Sequence, residues 1–130
     1  MNSKKVKKVL FICVENACRS QLAEAISNYF FPDQLKAFSA GSNPAKEINP
    51  KAIRSLNSMG IVYKGKTKSI SQVEEKKYDY IVGMGCGDAC PIIPGAQILE
   101  WNIPDPKLFE SKKFNKVRDM IKEKIESELL

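Results

Sequence analysis

The chain contains no histidine in 130 residues. That absence removes whole mechanisms. A Ser-His-Asp or Cys-His site cannot be assembled within it, and neither can mixed Cys/His zinc fingers or two-histidine zinc helices. A cysteine nucleophile here must have its thiolate stabilised by something other than imidazolium. Long apolar runs are also missing, and no stretch approaches membrane-spanning length. The run at residues 9–14, behind lysines 4, 5, 7 and 8, begins like a signal peptide but is too short and ends at Glu15. It reads as the first strand of a cytoplasmic protein with no membrane partner. No aromatic-basic platform or reader motif is present, so nucleic acid is not an expected partner. Repeats, low-complexity tracts and linkers are absent as well. The expectation is one domain over residues 1–130, a monomer, large enough to bury a core without disulfides.

What is present alternates strand and helix. Residues 8–13 (KVLFIC) are short, apolar and β-rich, like a buried parallel strand. From Ser20 the spacing of Leu22, Ala25, Ile26, Tyr29 and Phe30 is helical, with Pro32 just past the end. Residues 35–39 predict a second strand, closing at Gly41. Asn49-Pro50 pairs a cap with a proline at the first helical position, and Ile53, Leu56 and Met59 form the stripe of a helix stopped by Gly60. Ser71-Gln72-Val73-Glu74 matches a capping box for a short helix. Residues 78–84 and 97–103 predict the third and fourth strands, and Phe114, Val117, Ile121 and Ile125 a final helix. The pattern implies an α/β three-layer sandwich, a central four-stranded parallel sheet with helices on both faces. In such a sheet the ligand site lies at the carboxyl ends of the strands. Cys13, the segment with Cys86 and Cys90, and Asp105 all follow strand ends and are expected on that edge.

The net charge is +6, with lysines concentrated near the N-terminus, between Lys64 and Lys68, and in the final helix. It reads as a solvated surface or as attraction for a small anion or acidic partner. The stretch Cys13-Val14-Glu15-Asn16-Ala17-Cys18-Arg19-Ser20 joins a strand to a helix. A tight turn there aims several N–H groups into one concavity, the helix start adds its positive end, and Arg19 supplies a planar fork of donors suited to a tetrahedral oxyanion. Such surroundings favour a thiolate without histidine. The spacing alone is equally compatible with a buried, inert cysteine.

Cys86 and Cys90 raise a separate question. Fully extended, residues four apart sit roughly 13 Å from each other, whereas a disulfide needs Cα atoms about 4.4–6.8 Å apart. A bond between them requires the segment to coil, which Gly85 and Gly87 make easy. Idle thiols, a redox pair, or a four-thiolate metal site with Cys13 and Cys18 are all open.

The stretch VLFICVENACRSQLAEA resembles the signature of the low-molecular-weight protein tyrosine phosphatase superfamily, Cys-x-Gly-Asn-x-Cys-Arg-Ser after a strand. Its continuation, Arg19-Ser20-Gln21-Leu22-Ala23-Glu24-Ala25, is similar to the thioredoxin-coupled arsenate reductases of that superfamily. The likeness extends to Ser39-Ala40-Gly41, Asn49-Pro50 and the run from Trp101 to Asp105-Pro106. It implies that the loop from Val14 to Ser20 binds arsenate, with phosphate or sulfate as competing oxyanions. It further implies that Cys13 is the nucleophile, Arg19 an anion ligand, Asp105 the acid for the leaving oxygen, Asn16 a loop-shaping residue and Ser20 a support for the thiolate. It also implies a relay in which Cys86 attacks Cys13 and Cys90 then attacks Cys86. A thioredoxin-like protein would regenerate the thiols, with no bound cofactor and no metal.

Two features depart from the superfamily's usual pattern. Glu15 stands in place of glycine, and its carboxylate is expected to point outward, toward a lysine. Lys107 and Leu108 follow Asp105-Pro106 where the phosphatases carry aromatic residues, which argues for a small inorganic substrate. Cys18 either packs under the loop or forms a protective disulfide with Cys13. The rival readings are a phosphatase acting on phosphate monoesters and a four-cysteine metal-binding module.

Overall fold

A computed structural model describes residues 5–73, 75–85 and 93–130. Four strands, β1 (Lys7–Cys13), β2 (Leu35–Gly41), β3 (Tyr80–Gly83) and β4 (Gln97–Glu100), form one parallel sheet in the order β2-β1-β3-β4. Among the described residues three α-helices accompany them: α1 (Arg19–Phe30), α2 (Pro50–Asn57) and α3 (Ser111–Glu128). The chain leaves β1 toward β2 on one side and reaches β3 on the other. The turn after β1 therefore lies at the point where the strand order reverses, the usual ligand crevice of an open parallel sheet.

Strand alternation divides the core. Val9, Phe11, Leu35, Ala37, Val82 and Trp101 pack with Leu22 and Ile26 of α1, Ala52 and Leu56 of α2, and the stripe Phe114, Val117, Ile121 and Ile125 of α3. Leu10, Ile12, Ala40 and Ile81 face the other way, beneath Val73 and Tyr78 with Ile70 and Ile93 beside them. The three described α-helices lie against the first face. Among the described residues the opposite layer is thinner, made by a 3-10 turn (Ile70–Gln72) and the extended chain beside it. The β2-to-β3 connection serves both sides: α2 joins the helical face, and the bridge between Gly41 and Ser69 carries the chain round the β2 edge.

Local signals explain most boundaries. Asn49 caps α2 through a 2.9 Å bond from Lys51 N–H to Oδ1, with Pro50 at the first position. Eight residues make too short a helix to stand alone, so α2 depends on this cap and on Ala52 and Leu56. Three expected boundaries shift. The capping residue of the 3-10 turn is Ser69, whose N–H donates to Gln72 Oε1 at 2.7 Å. Ser71 lies within the turn, and the Glu74 of the expected box lies outside the described residues. β3 stops at Gly83 because Gly85, at φ +95°, turns the chain out of the sheet. β4 ends at Glu100 because β3 offers no further partner; Trp101 N–H makes the last bond, to Gly83 O at 2.9 Å. None of the described helices is long and apolar enough to cross a membrane.

Candidate active site

The loop between β1 and α1 has its carbonyls tethered from outside. Cys13, Val14, Glu15 and Ala17 C=O accept from the N–H groups of Ser42 (3.3 Å), Asn43 (2.8 Å), Ala45 (2.9 Å) and Asn49 (3.0 Å). With the carbonyls drawn outward, the N–H groups of Val14 through Cys18 donate to no other described residue. A concavity of unpaired amides at the start of a helix is an anion cradle. Gly41, paired with Cys13 in the ladder, permits the close approach: a Cβ there would lie 2.6 Å from Val14 O and 2.9 Å from Asn16 N.

Asn16 carries the bend at φ 52°, a left-handed conformation that asparagine tolerates. It is fully buried, and both ends of its side-chain amide are bonded. Oδ1 accepts from Lys68 N–H (3.0 Å) and Gln21 Nε2 (2.9 Å), while Nδ2 donates to Ser20 Oγ (2.8 Å). Gln21 Nε2 also reaches the carbonyls of Asn16 and Lys66. Behind Gln21, the single Tyr63 hydroxyl proton is shared between Gln21 Oε1 and Glu24 Oε2, and Glu24 further accepts from Ser39. Burial, reinforced by the Glu24 charge, pushes the Tyr63 phenol well above its ordinary range.

Cys13 forms the floor at 3% exposure, its Sγ 2.8 Å from Ser20 Oγ. Ser20 does not cap the helix; the Cys18 position does, without a side-chain bond. Cys13 and Cys18 are both free thiols. Burial, with a smaller contribution from the Asp105 charge, pushes the Cys18 thiol up to about 12, so it packs beneath the loop as a neutral group.

Arg19 crosses to the far side of the edge. Its Nη1 donates to Ile103 O at 3.1 Å, and its Nη2 lies 3.8 Å from Asp105 Oδ2. Gly85 supports it from below, where a Cβ would come within 2.6 Å of Nη1. Asp105 is half exposed and accepts from Lys107 N–H at 3.1 Å. Glu15 points outward onto Lys107 Nζ at 3.1 Å, as expected, and this carboxylate holds the Lys107 ammonium above its ordinary pKa. A cavity of about 310 Å³ joins these groups, with Cys13, Arg19, Asn43, Asp105 and Lys107 in its wall.

The edge therefore gathers Cys13, the loop from Val14 to Ser20, Arg19 and Asp105. Cys86 and Cys90 lie outside the described residues, so the relay and the four-thiolate arrangement both do too. Among the described residues no group of three or more His, Cys, Asp or Glu side chains is placed to hold a metal ion. Gly85, Asn43, Tyr63 and the backbone of Lys68 contribute to the site without having been expected there.

A buried cysteine under a nest of amides, faced by an arginine and a carboxyl group, describes a class of oxyanion-handling α/β proteins. The chain belongs to the low molecular weight phosphotyrosine protein phosphatase family, whose model matches residues 8–129. Arsenate reductase 2 of Staphylococcus epidermidis is 37% identical over 126 residues, covering 93% of this chain and 95% of that one. A solved arsenate reductase in the phosphate binding state superposes with a TM-score of 0.81 at 27% identity, over 94% of this chain and 95% of the other. The thioredoxin-dependent arsenate reductase of Corynebacterium glutamicum gives a TM-score of 0.76 at 33% identity over 97% of this chain. This chain spans 61% of that neighbour's length. The superfamily resemblance carried by residues 9–25 thus agrees with a match along nearly the whole chain.

Proposed function

We propose that this protein reduces arsenate to arsenite, with Cys13 as nucleophile and a thioredoxin-like dithiol as final reductant. The observation that carries the reading is the convergence of Cys13 Sγ, the outward-tethered loop, Arg19 and Asp105 on one cavity. The arsenate reductases among its relatives select this chemistry from what the site could perform.

The loop amides and Arg19 hold three arsenate oxygens. The Cys13 thiolate attacks arsenic, and the opposite hydroxyl leaves as water with a proton from Asp105. Cys86 thiolate then attacks Cys13 Sγ. The electron pair of the S–As bond passes to arsenic, which leaves as arsenite, and a Cys13–Cys86 disulfide forms. Cys90 attacks Cys86, freeing Cys13 and leaving Cys86–Cys90 for the external dithiol. The roles of Cys86 and Cys90 rest on sequence resemblance. Free thiols persist in a reducing compartment, and we place the protein in the cytoplasm.

Hydrolysis of phosphate monoesters needs only Cys13, Arg19, Asp105 and water, so single-turnover assays must separate the two reactions. With arsenate, Cys86→Ser should release no arsenite, and Cys90→Ser should release one equivalent and stall as a Cys13–Cys86 disulfide. Both variants should treat an aryl phosphate as wild type does. Wild-type arsenate turnover by both variants would remove the relay. Stoichiometric zinc or iron in anaerobically purified protein would point instead to a metal-binding module.

A further inference from the structure

The Glu15–Lys107 ion pair joins the two walls of the cavity. Glu15 belongs to the anion loop, its carbonyl tethered by Ala45 N–H at 2.9 Å. Lys107 belongs to the acid turn, its N–H bonded to Asp105 Oδ1 at 3.1 Å. Both Glu15 oxygens lie 3.1 Å from Lys107 Nζ. Depth distinguishes the pair from the catalytic floor. Cys13 is 3% exposed, whereas the side chains of Glu15 and Lys107 are 40% and 53% exposed, at the rim.

In-line attack from the floor sends the leaving group away from Sγ, toward Asp105 and that rim. A free oxyanion places only a hydroxyl there. An ester, or a phosphonate, places its organic group there and must displace the pair or lie against it. The pair is formally neutral, so it removes the repulsion that an unpaired Glu15 would exert on any anion while leaving the bulk of both side chains in place.

We propose that Glu15 and Lys107 form a size-selecting clasp that admits a bare tetrahedral oxyanion and disfavours one carrying an aryl group. The inference rests on the anion-binding and attack geometry proposed above, and it adds the specificity-determining residues.

Calorimetric titration with inorganic phosphate and with phenylphosphonate tests it, independently of any turnover. Wild type should prefer phosphate. Glu15→Gly and Lys107→Ala should each shrink that preference by about tenfold, the scale on which pocket shape discriminates. Combining Glu15→Lys with Lys107→Glu should restore it. Parallel changes for the two ligands in both single variants, or a reversed pair that behaves like the single variants, would overturn the clasp. Failure of wild type to reduce arsenate would instead remove the reductase reading, and the two failures are distinguishable.

Discussion

Ser20 Oγ lies 2.8 Å from Cys13 Sγ and accepts a 2.8 Å bond from Asn16 Nδ2. The direction of that second bond follows from the backbone. Lys68 N–H can only donate, so it fixes Asn16 Oδ1 on its own side and turns Nδ2 toward Ser20. Ser20 thereby accepts from Asn16 and keeps its proton for the sulfur. A hydrogen bond to a charged group contributes about 1.5–3 kcal/mol. In a background carrying Cys86→Ser and Cys90→Ser, Ser20→Ala should therefore slow iodoacetamide alkylation of Cys13 at neutral pH about tenfold or more. An unchanged rate would show that the hydroxyl does not support the thiolate.

Gly85 and Gly95 offer a matched pair of substitutions. Both have positive φ, +95° and +88°, but a Cβ at Gly85 meets Arg19 Nη1 at 2.6 Å while one at Gly95 meets nothing within 4 Å. Alanine at either position costs about 1–2 kcal/mol of backbone strain, visible as a lowered melting temperature. Only Gly85→Ala also displaces the guanidinium, and it should weaken inorganic phosphate binding at least tenfold. Equal loss of phosphate affinity in Gly95→Ala would mean that strain, not contact with Arg19, is responsible.

Legibility in the sequence followed the range of each interaction. The strand, loop and helix around Cys13 were readable because their signals are local: an apolar run, a turn, then helical spacing. The stripe Phe114, Val117, Ile121 and Ile125 was readable because periodicity reports burial directly. The outward course of Glu15 followed from charge alone. The tethering of the loop by residues 42–49 was not readable, because backbone donors leave no side-chain signature. Neither was the contact between Gly85 and Arg19, which depends on how β3 is placed beside β1. Ser69 and Ser71 head overlapping capping patterns, and the Gly41–Ser69 bridge, a tertiary contact, favours the first.

Cys18 should behave unlike Cys13 despite sharing the loop. Depth does not separate them, at 6% exposure against 3% for Cys13; desolvation and the Asp105 charge hold Cys18 as a neutral thiol with a pKa of about 12. Thiols react through their thiolates. In the background lacking Cys86 and Cys90, iodoacetamide at pH 8 should label Cys13 alone, and Cys18 only after unfolding in urea. Peptide mass mapping distinguishes the sites. Comparable labelling of Cys18 in the folded protein would contradict its assignment as a packing residue.

Tyr63 links alkaline stability to the architecture of the loop. Its one hydroxyl proton is shared between Gln21 and Glu24 behind Asn16, and burial raises its folded pKa above the ordinary value of 10.0. Below pH 10 the phenol is protonated in both states, and its contribution to stability is fully present. Above pH 10 the unfolded chain releases the proton while the folded chain keeps it. Stability then falls as pH rises, by up to about 1.4 kcal/mol per pH unit for this one group. Tyr63→Phe cannot titrate, and it leaves buried acceptors without a donor, so at pH 8 it should be less stable than wild type by about 1–3 kcal/mol. The gap should narrow by about 1.4 kcal/mol by pH 11 in urea unfolding curves. A gap of the same size at pH 8 and pH 11 would place the Tyr63 hydroxyl outside the buried network. Because Gln21 holds Asn16, the variant should also bind inorganic phosphate more weakly at neutral pH.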